Sequence, residues 1–249
     1  MTAIILAAGY GTRLYPLTLD KPKAFLEVGG KTILDRLIEK LKAIGECKRI
    51  YIVTNDKFYG NFKEWLKPNS LSPEVHVIND KTVSNETRLG AIGDIHLVLK
   101  ENEINDDLVI TGSDNLFESG LKEFYEFGRG RRPFSSLALF DVKDKNLSKK
   151  YGICSLDGTL RITDFEEKPQ APKSTLAATA LYFIPREKIE HIYKYMQAGL
   201  SKDAPGNLIK WLAEKDKVFG YILKGKWYDI GDLNSLKKAD EDFKRKETP

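Results

Sequence analysis

"ILAAGYGTRLYPLTLDKPKAFLEVGGKT", residues 5–32, is the stretch that decides the fold of this chain. It begins inside an apolar run, residues 3–8, which is typical of a strand buried on both faces of a sheet. A loop with two glycines follows, and the stretch then leads into residues 33–45. Their apolar side chains recur at helical spacing between Thr32, a candidate N-cap, and Gly45, a stop. A buried strand, a glycine loop and a helix in this order predict the opening of a βαβ unit.

The alternation of strands and helices continues through the first half of the chain. Buried strands are predicted at 49–55, 74–80 and 106–115, with helices at 58–66 and 89–99. This spacing predicts crossover connections and a parallel sheet that is covered by helices on both faces. In such sheets ligands bind at the carboxyl ends of strands, which is where "GYGTR" and "GSDN" fall.

The second half of the chain has more extended segments and fewer helices. Extended segments are predicted at 134–142, 151–169, 175–185 and 218–223, and helices at 186–197, at 205–215 and at the carboxyl terminus. The Asp157–Gly158 dipeptide predicts a hairpin turn. We therefore expect an α/β protein with a Rossmann-like core, in which helices flank a mixed, mostly parallel sheet. We treat 1–249 as one domain, with a nucleotide-binding half at 1–115 and a substrate half at 116–249.

The composition limits the classes of partner that the chain can have. The 40 Lys and Arg residues against 36 Asp and Glu give a charge of +4, which is too balanced to predict nucleic-acid binding. Cys47 and Cys154 are the two cysteines, and neither a disulfide framework nor a zinc site is predicted from them. No apolar stretch approaches the roughly 18 residues that a membrane span needs. We expect a cytoplasmic protein with no membrane or nucleic-acid partner.

The glycine loop fails two established phosphate-binding patterns. The dinucleotide pattern G-x-G-x-x-G needs a glycine at Leu14, and the Walker pattern that would end in "GKT" needs one at Phe25. What remains is G-x-G-T-R followed by "KPK". Arg13 offers a planar fork of donors to phosphate, and Lys21 and Lys23 offer compact charges. These cations suit a triphosphate that loses pyrophosphate, although the loop alone also allows a glycine turn with solvated cations.

Five motifs in order resemble one enzyme family. They are residues 6–38, "LAAGYGTRLYPLTLDKPKAFLEVGGKTILDRLI", followed by "RLGAIGDI" (88–95), "GSDN" (112–115), "EEKP" (166–169) and "WYDIGD" (227–232). This set closely resembles the sugar-1-phosphate nucleotidylyltransferases and covers nearly the whole chain. The resemblance implies the nucleotide-diphospho-sugar transferase fold. It also implies transfer of a nucleotidyl group from an NTP to a sugar-1-phosphate with release of pyrophosphate.

The resemblance implies roles for residues on the nucleotide side. The catalytic cations would be Arg13 and Lys23. Asp114 and Asp229 would bind one Mg²⁺ beside the α-phosphate. Asp94 and Asp232 are nearby acidic alternatives, which we expect to be helix-capping or surface residues instead. The nucleotide-binding residues would be Ala8, Gly9, Gly11, Thr12, Asn85 and Gly90.

The resemblance also implies a site for the sugar phosphate. The amide of Gly152 would meet a sugar hydroxyl, the Glu167 carboxylate would bind hydroxyl groups, and Lys168 would bind the phosphate. Thr179 belongs to the same site. In the segment "ATALY", Ala180 stands where the family usually has glycine, so the sugar stays unassigned.

Departures from the family pattern leave the base partly open. Asn85 stands where glutamine is usual and Arg88 replaces a common proline. A carboxamide suits the imide edge of a pyrimidine, so UTP or dTTP is favoured without a choice between them. Two alternatives are a cytidylyltransferase for phosphocholine or another small phosphate, and a non-catalytic NDP-sugar-binding regulatory protein. Family members often self-associate, which makes a homo-oligomer an expectation.

Overall fold

A computed structural model describes residues 1–67 and 73–247 of the chain. Short 3-10 turns lie at Thr12–Leu14, Lys23–Phe25 and Arg186–Lys188. The α-helices are α1 (Ile33–Lys42), α2 (Asp56–Leu66), α3 (Ala91–Glu101), α4 (Lys122–Gly130), α5 (Lys145–Ser148), α6 (Ile189–Gln197), α7 (Pro205–Lys215) and α8 (Leu233–Glu247). The strands are β1 (Thr2–Leu6), β2 (Glu27–Val28), β3 (Lys31–Thr32), β4 (Arg49–Thr54), β5 (Glu74–Asn79), β6 (Leu108–Gly112), β7 (Asn115–Phe117), β8 (Ser135–Asp141), β9 (Gly152–Leu156), β10 (Ile162–Glu167), β11 (Leu176–Ile184), β12 (Val218–Ile222) and β13 (Trp227–Asp229).

A mixed sheet forms the centre of the fold. Its main path is β10-β9-β11-β6-β1-β4-β5, and β8 and β12 join it beside β11. β1 pairs in parallel with β4 and β6, and β4 pairs in parallel with β5, as the alternation of strands and helices predicts. β11 is antiparallel to β6 and connects the second half of the chain to the first. The predicted fold class is confirmed.

Helices cover both faces of the sheet because the strands are apolar on both sides. Ala3 and Ile5 of β1 face a core that includes side chains of α1, α2 and α4. Ile4, between them, faces a second core with α3, α6 and α7. This alternation is the pleat of a strand that is buried on both faces.

Two local predictions hold and one differs from the structure. The Thr32 hydroxyl accepts a hydrogen bond from the Asp35 amide and caps α1, and β9 and β10 form the hairpin predicted at Asp157–Gly158. The single strand predicted at 106–115 is divided instead, because the chain turns at residues 113–114 and β7 pairs with β13. Helix α4 was not predicted. No helix among the described residues is long and apolar enough to cross a membrane.

Candidate active site

A cleft of about 600 Å³ opens at the carboxyl ends of the parallel strands. It lies where ligands bind in sheets of this kind. Residues outside the predicted set, among them Tyr10 and Asp203, also line it. The predicted site residues that line it are Ala8, Gly9, Gly11, Thr12, Arg13, Lys23, Asn85, Gly90 and Asp114.

The loop after β1 is held from below and from the side. Asn55, buried at the start of α2, donates its amide N–H to the Ala8 carbonyl at 2.9 Å. The Thr18 hydroxyl donates to the Gly11 carbonyl at 2.8 Å. Gly11 has φ 64°, a left-handed conformation that favours glycine. These contacts fix the loop backbone, while Gly9 stays exposed to the cleft.

Two cations, Lys23 and Arg13, line the cleft in different environments. The Lys23 ammonium lies 2.8 Å from an Asp114 carboxylate oxygen, and its side chain is 15% exposed. Arg13 is exposed, and its guanidinium nitrogens lie 3.7 Å from the position that a Cβ on Gly231 would occupy. Lys23 is therefore positioned by a carboxylate, and Arg13 can bind an incoming anion.

The pairing of β7 with β13 brings the two predicted metal-binding aspartates together. Asp229 pairs with Asn115, the residue that follows Asp114 in the chain. The amide of Ile230 donates a hydrogen bond of 2.9 Å to the carbonyl of Asp114. Burial and the charge of Asp114 raise the pKa of Asp229, against the opposing effect of the nearby cations Lys23 and Arg13. The two carboxylates therefore repel each other electrostatically.

Asn115 positions Asp114, a role that the sequence did not reveal. Its amide donates to the Asp114 carboxylate at 2.8 Å, and its carbonyl oxygen accepts from the Trp227 indole N–H at 2.7 Å. Trp227 is buried and supports this loop through that contact. The sequence signal was present in "GSDN", because the asparagine follows the aspartate directly.

The carboxylate pair fits a magnesium ion bound together with a nucleotide. Mg²⁺ in phosphoryl-transfer sites is usually held by one or two carboxylates, phosphate oxygens and water. Within the described residues no group of three His, Cys, Asp or Glu side chains could hold a metal alone. Asp114 and Asp229 supply two like charges whose repulsion a cation would relieve, which matches the two-carboxylate pattern.

Arg88 connects the predicted base loop to the other side of the cleft. Its guanidinium makes two hydrogen bonds to the Asp203 carboxylate, each 2.8 Å long, and a third to the side-chain oxygen of Asn85 at 3.0 Å. Gly90 packs against the same segment, because a Cβ there would lie 2.5 Å from the Lys202 carbonyl oxygen. The base loop and residues 202–203 therefore form one wall.

Asp94 differs from the surface or capping residue that the sequence predicted. It lies in the first turn of α3, is 4% exposed and lines the cleft. Burial first, and then the charge of Asp80, raise its pKa to about 8. Asp232 matches its prediction as a helix-capping residue. It lies just before α8, and its carboxylate accepts a hydrogen bond of 2.8 Å from the amide of Ser235 in the first turn of that helix.

The predicted sugar-phosphate residues lie beside the cleft without lining its main volume. A Glu167 carboxylate oxygen lies 3.0 Å from the position of a Cβ on Gly152, and 2.9 Å from that on Gly206. Burial raises the pKa of Glu167, and Lys168, 4.0 Å away, opposes the shift. Lys168 is 67% exposed and also acts electrostatically on Asp203 at the cleft wall.

Thr179 does not have the position expected for a sugar-binding side chain. It is fully buried, and its hydroxyl donates to the Ala138 carbonyl at 2.9 Å. The next residue, Ala180, lines the cleft with φ 51°, where the register between β8 and β11 shifts. The structure therefore places the Ala180 methyl group at the wall and the Thr179 side chain in the sheet.

A sequence model of the family described as nucleotidyl transferase matches residues 2–246. "Bifunctional protein GlmU" of Methanocaldococcus jannaschii is 29% identical over 93% of this chain and 51% of its own length. "Putative mannose-1-phosphate guanyltransferase" of Sulfolobus acidocaldarius is 30% identical over 93% of this chain and 60% of its own length. The chain thus spans between about half and three fifths of these relatives.

Solved structures share the fold. UDP-glucose pyrophosphorylase in complex with UDP-glucose superimposes with a TM-score of 0.81 at 21% identity, covering 99% of each chain. At this identity the similarity supports the architecture of the sheet and its helices, which agrees with the topology described above.

Proposed function

Because the chain belongs to the nucleotidyl transferase family, we propose that it transfers a nucleotidyl group from an NTP to a sugar-1-phosphate. The products are an NDP-sugar and pyrophosphate, and UTP or dTTP is the favoured donor. The Lys23–Asp114 ion pair is the observation that best supports the proposal, because it lies beside the glycine loop with Asp229 and Arg13 nearby. The relative named as a putative mannose-1-phosphate guanyltransferase supports the same reaction class.

The reaction needs charge neutralisation more than proton transfer. A phosphate oxygen of the sugar-1-phosphate attacks the α-phosphorus of the NTP, and the bond from that phosphorus to the pyrophosphate oxygen breaks in line. The nucleophile is already an anion, so no general base is required. Positioning and electrostatic stabilisation then supply most of the rate, as in phosphoryl transfer generally.

The chain's own cations would bring the two anionic substrates together. Arg13 would bind the α- and β-phosphates and stabilise the charge that develops on the leaving pyrophosphate. Lys23 would exchange part of its contact with Asp114 for the pentavalent centre. Mg²⁺ held by Asp114 and Asp229 would supply further neutralisation of the phosphate charge.

The sugar phosphate would bind at the Glu167 side of the cleft. The Glu167 carboxylate lies against Gly152 and Gly206 and could accept hydrogen bonds from two sugar hydroxyl groups. Lys168 would bind the phosphate. The methyl group of Ala180 would restrict the adjacent wall. Asn85 and Gly90 would contact the base at the opposite end.

Pyrophosphate release tests the proposal. The wild type is assayed with Mg²⁺ over a grid of UTP, dTTP, CTP, GTP and ATP against several sugar-1-phosphates and phosphocholine. Asp114→Asn is the test variant. Asp106→Asn is the matched control, because Asp106 lies just before β6, at the opposite end of the strand, in an exposed pair with Lys48.

Activity on one NTP and sugar-1-phosphate pair, lost in Asp114→Asn and kept in Asp106→Asn, is the expected result. Turnover of phosphocholine without any sugar-1-phosphate would replace the proposal with the cytidylyltransferase reaction. Tight NTP binding without pyrophosphate release from any acceptor would favour a regulatory protein instead.

A further inference from the structure

Asp94 is a buried carboxyl group at the cleft wall with an unsatisfied oxygen. The side chain is 4% exposed, and among the described residues its Oδ1 atom has no hydrogen-bond partner. An unpaired buried polar atom destabilises the folded protein. Such a group usually has a reason to be retained, and Asp94 lines the cleft in which a ligand would bind. The Oδ1 atom itself is buried, so a ligand would engage it after the Asp94 side chain rotates towards the cleft.

The first turn of α3 places Asp94 beside the predicted base loop, because the Asp94 amide donates to the Gly90 carbonyl at 2.9 Å. Asp80, just beyond the end of β5, is the one charged group that shifts its pKa, whereas Asp229 responds to Arg13 and Lys23 at the phosphate end. Asp80 also begins the segment that leads to Asn85 and Gly90. Asp94 therefore lies beside the predicted base loop.

The protonation state of Asp94 determines what it can offer. Burial and Asp80 raise its pKa to about 8, so near pH 7 the carboxyl group mostly retains its proton. A neutral carboxyl group has one O–H donor beside one C=O acceptor. This pair matches a ligand edge on which an N–H lies next to a carbonyl.

Arg88 determines what Asn85 can offer. A guanidinium group has only donors, so the Asn85 atom that lies 3.0 Å from Arg88 Nη1 is its oxygen. With that oxygen engaged, the amide N–H₂ group remains to donate to a ligand. Asn85 and Asp94 line the same cleft and together present two donors and an acceptor.

We propose that Asp94 is a base-recognising residue that selects the imide edge of uracil or thymine. In this arrangement, which rests on the proposed function, the Asp94 carbonyl accepts the base N3–H and its hydroxyl donates to a neighbouring carbonyl. The Asn85 amide donates to the other carbonyl. Cytosine fits less well, because it has an acceptor at N3 and an amino group in place of one carbonyl. Guanine presents two adjacent N–H donors and would suit an ionised carboxylate.

Equilibrium binding of UTP, dTTP, CTP and GTP by calorimetry tests the proposal. It is measured at pH 7 in the wild type, Asp94→Asn, Asp94→Ala and the control Asp106→Asn, each checked by thermal unfolding. The wild type and Asp106→Asn should prefer UTP or dTTP. Asp94→Ala should bind these two about 10- to 100-fold more weakly, as expected for losing two hydrogen bonds, and should lose the preference. Asp94→Asn should stay within about 3-fold of wild type, because a carboxamide also has a donor and an acceptor.

Three outcomes would overturn the proposal: unchanged UTP affinity in Asp94→Ala, equal weakening of all four nucleotides, or a wild-type preference for GTP or CTP. The pyrophosphate assay separates this from the reaction itself. Turnover with an unchanged base preference in Asp94→Ala refutes the role of Asp94 and leaves the transferase intact. An Asp94-dependent base preference without sugar-1-phosphate turnover supports the role of Asp94 and refutes the transferase.

Discussion

Replacing Asp94 with asparagine should stabilise the ligand-free protein, and the gain should depend on pH. The pKa of this carboxyl group is raised from 3.8 to about 8 in the folded chain. Between these values the folded state binds more protons than the unfolded state, so the free energy of unfolding falls as pH rises. Asparagine resembles the neutral acid and removes this dependence.

The size of the effect follows from the width of the pH window. Within this window each rise of one pH unit lowers the free energy of unfolding by about 1.4 kcal/mol. The wild type therefore loses about 4 kcal/mol of stability between pH 3.8 and pH 7. Relaxation of the first turn of α3 towards water would reduce this value. We therefore expect Asp94→Asn to be more stable than wild type by about 2–4 kcal/mol at pH 7 and by clearly less at pH 5.

Urea unfolding at pH 5, 6, 7 and 8 measures the difference in free energy between the two proteins. The advantage of Asp94→Asn should grow with each step up to pH 8. Asp106→Asn changes an exposed ion pair, so its free energy of unfolding should differ little from that of the wild type. This small difference should not grow between pH 5 and pH 8. A difference for Asp94→Asn that is constant with pH, or a destabilised variant at pH 7, would show that the carboxyl group is ionised and solvated in the folded protein.

Three further predictions concern the cleft. Arg13→Ala should lower kcat for pyrophosphate release by at least about 10²-fold, and a loss of only a few-fold would contradict its role in stabilising charge. Ala180→Gly should raise the free energy of unfolding by about 1 kcal/mol, because φ 51° is strained for alanine. It should also widen the range of sugar-1-phosphates accepted in the same assay. Equal stability would mean that the backbone at the register shift between β8 and β11 relaxes around alanine. Gly90→Ala should raise KM for the NTP about 10-fold or more and lower the melting temperature, since its Cβ would meet the Lys202 carbonyl. An unchanged KM and an unchanged melting temperature would show that the base loop can move away from residues 202–203.

The sequence predicted the parts of the fold that depend on local pattern. The apolar run before the glycine loop, the cap at Thr32 and the Asp157–Gly158 turn are all encoded by neighbouring residues. The division of the 106–115 segment was not predictable in this way. It depends on β7 pairing with β13, more than 100 positions later in the chain.

The same distinction applies to the site. The meeting of Arg13, Lys23 and Asp114 in one cleft could be predicted, because glycine loops and strand ends are local features that lie at one edge of a parallel sheet, whereas their roles rest on the family resemblance. Asp94 was assigned to the surface because a single aspartate in a helical first turn usually caps or is solvated. Its burial arises from the packing of α3 on β1 and β4 and beneath residues 202–203, which no local pattern contains.

The amino end of α3 is closed by the chain itself. The amides of Ala91 and Ile92 donate to the carbonyls of Asp203 and Lys202, so these N–H groups are not open to phosphate oxygens. In the proposed function, the phosphates would bind at the loop after β1 with Arg13 and Lys23, and the base would bind beside Asn85 and Gly90. Recognition of charge and recognition of the base would then be separated in space. Raising the ionic strength should weaken overall nucleotide affinity through screening but leave the ranking of the bases unchanged.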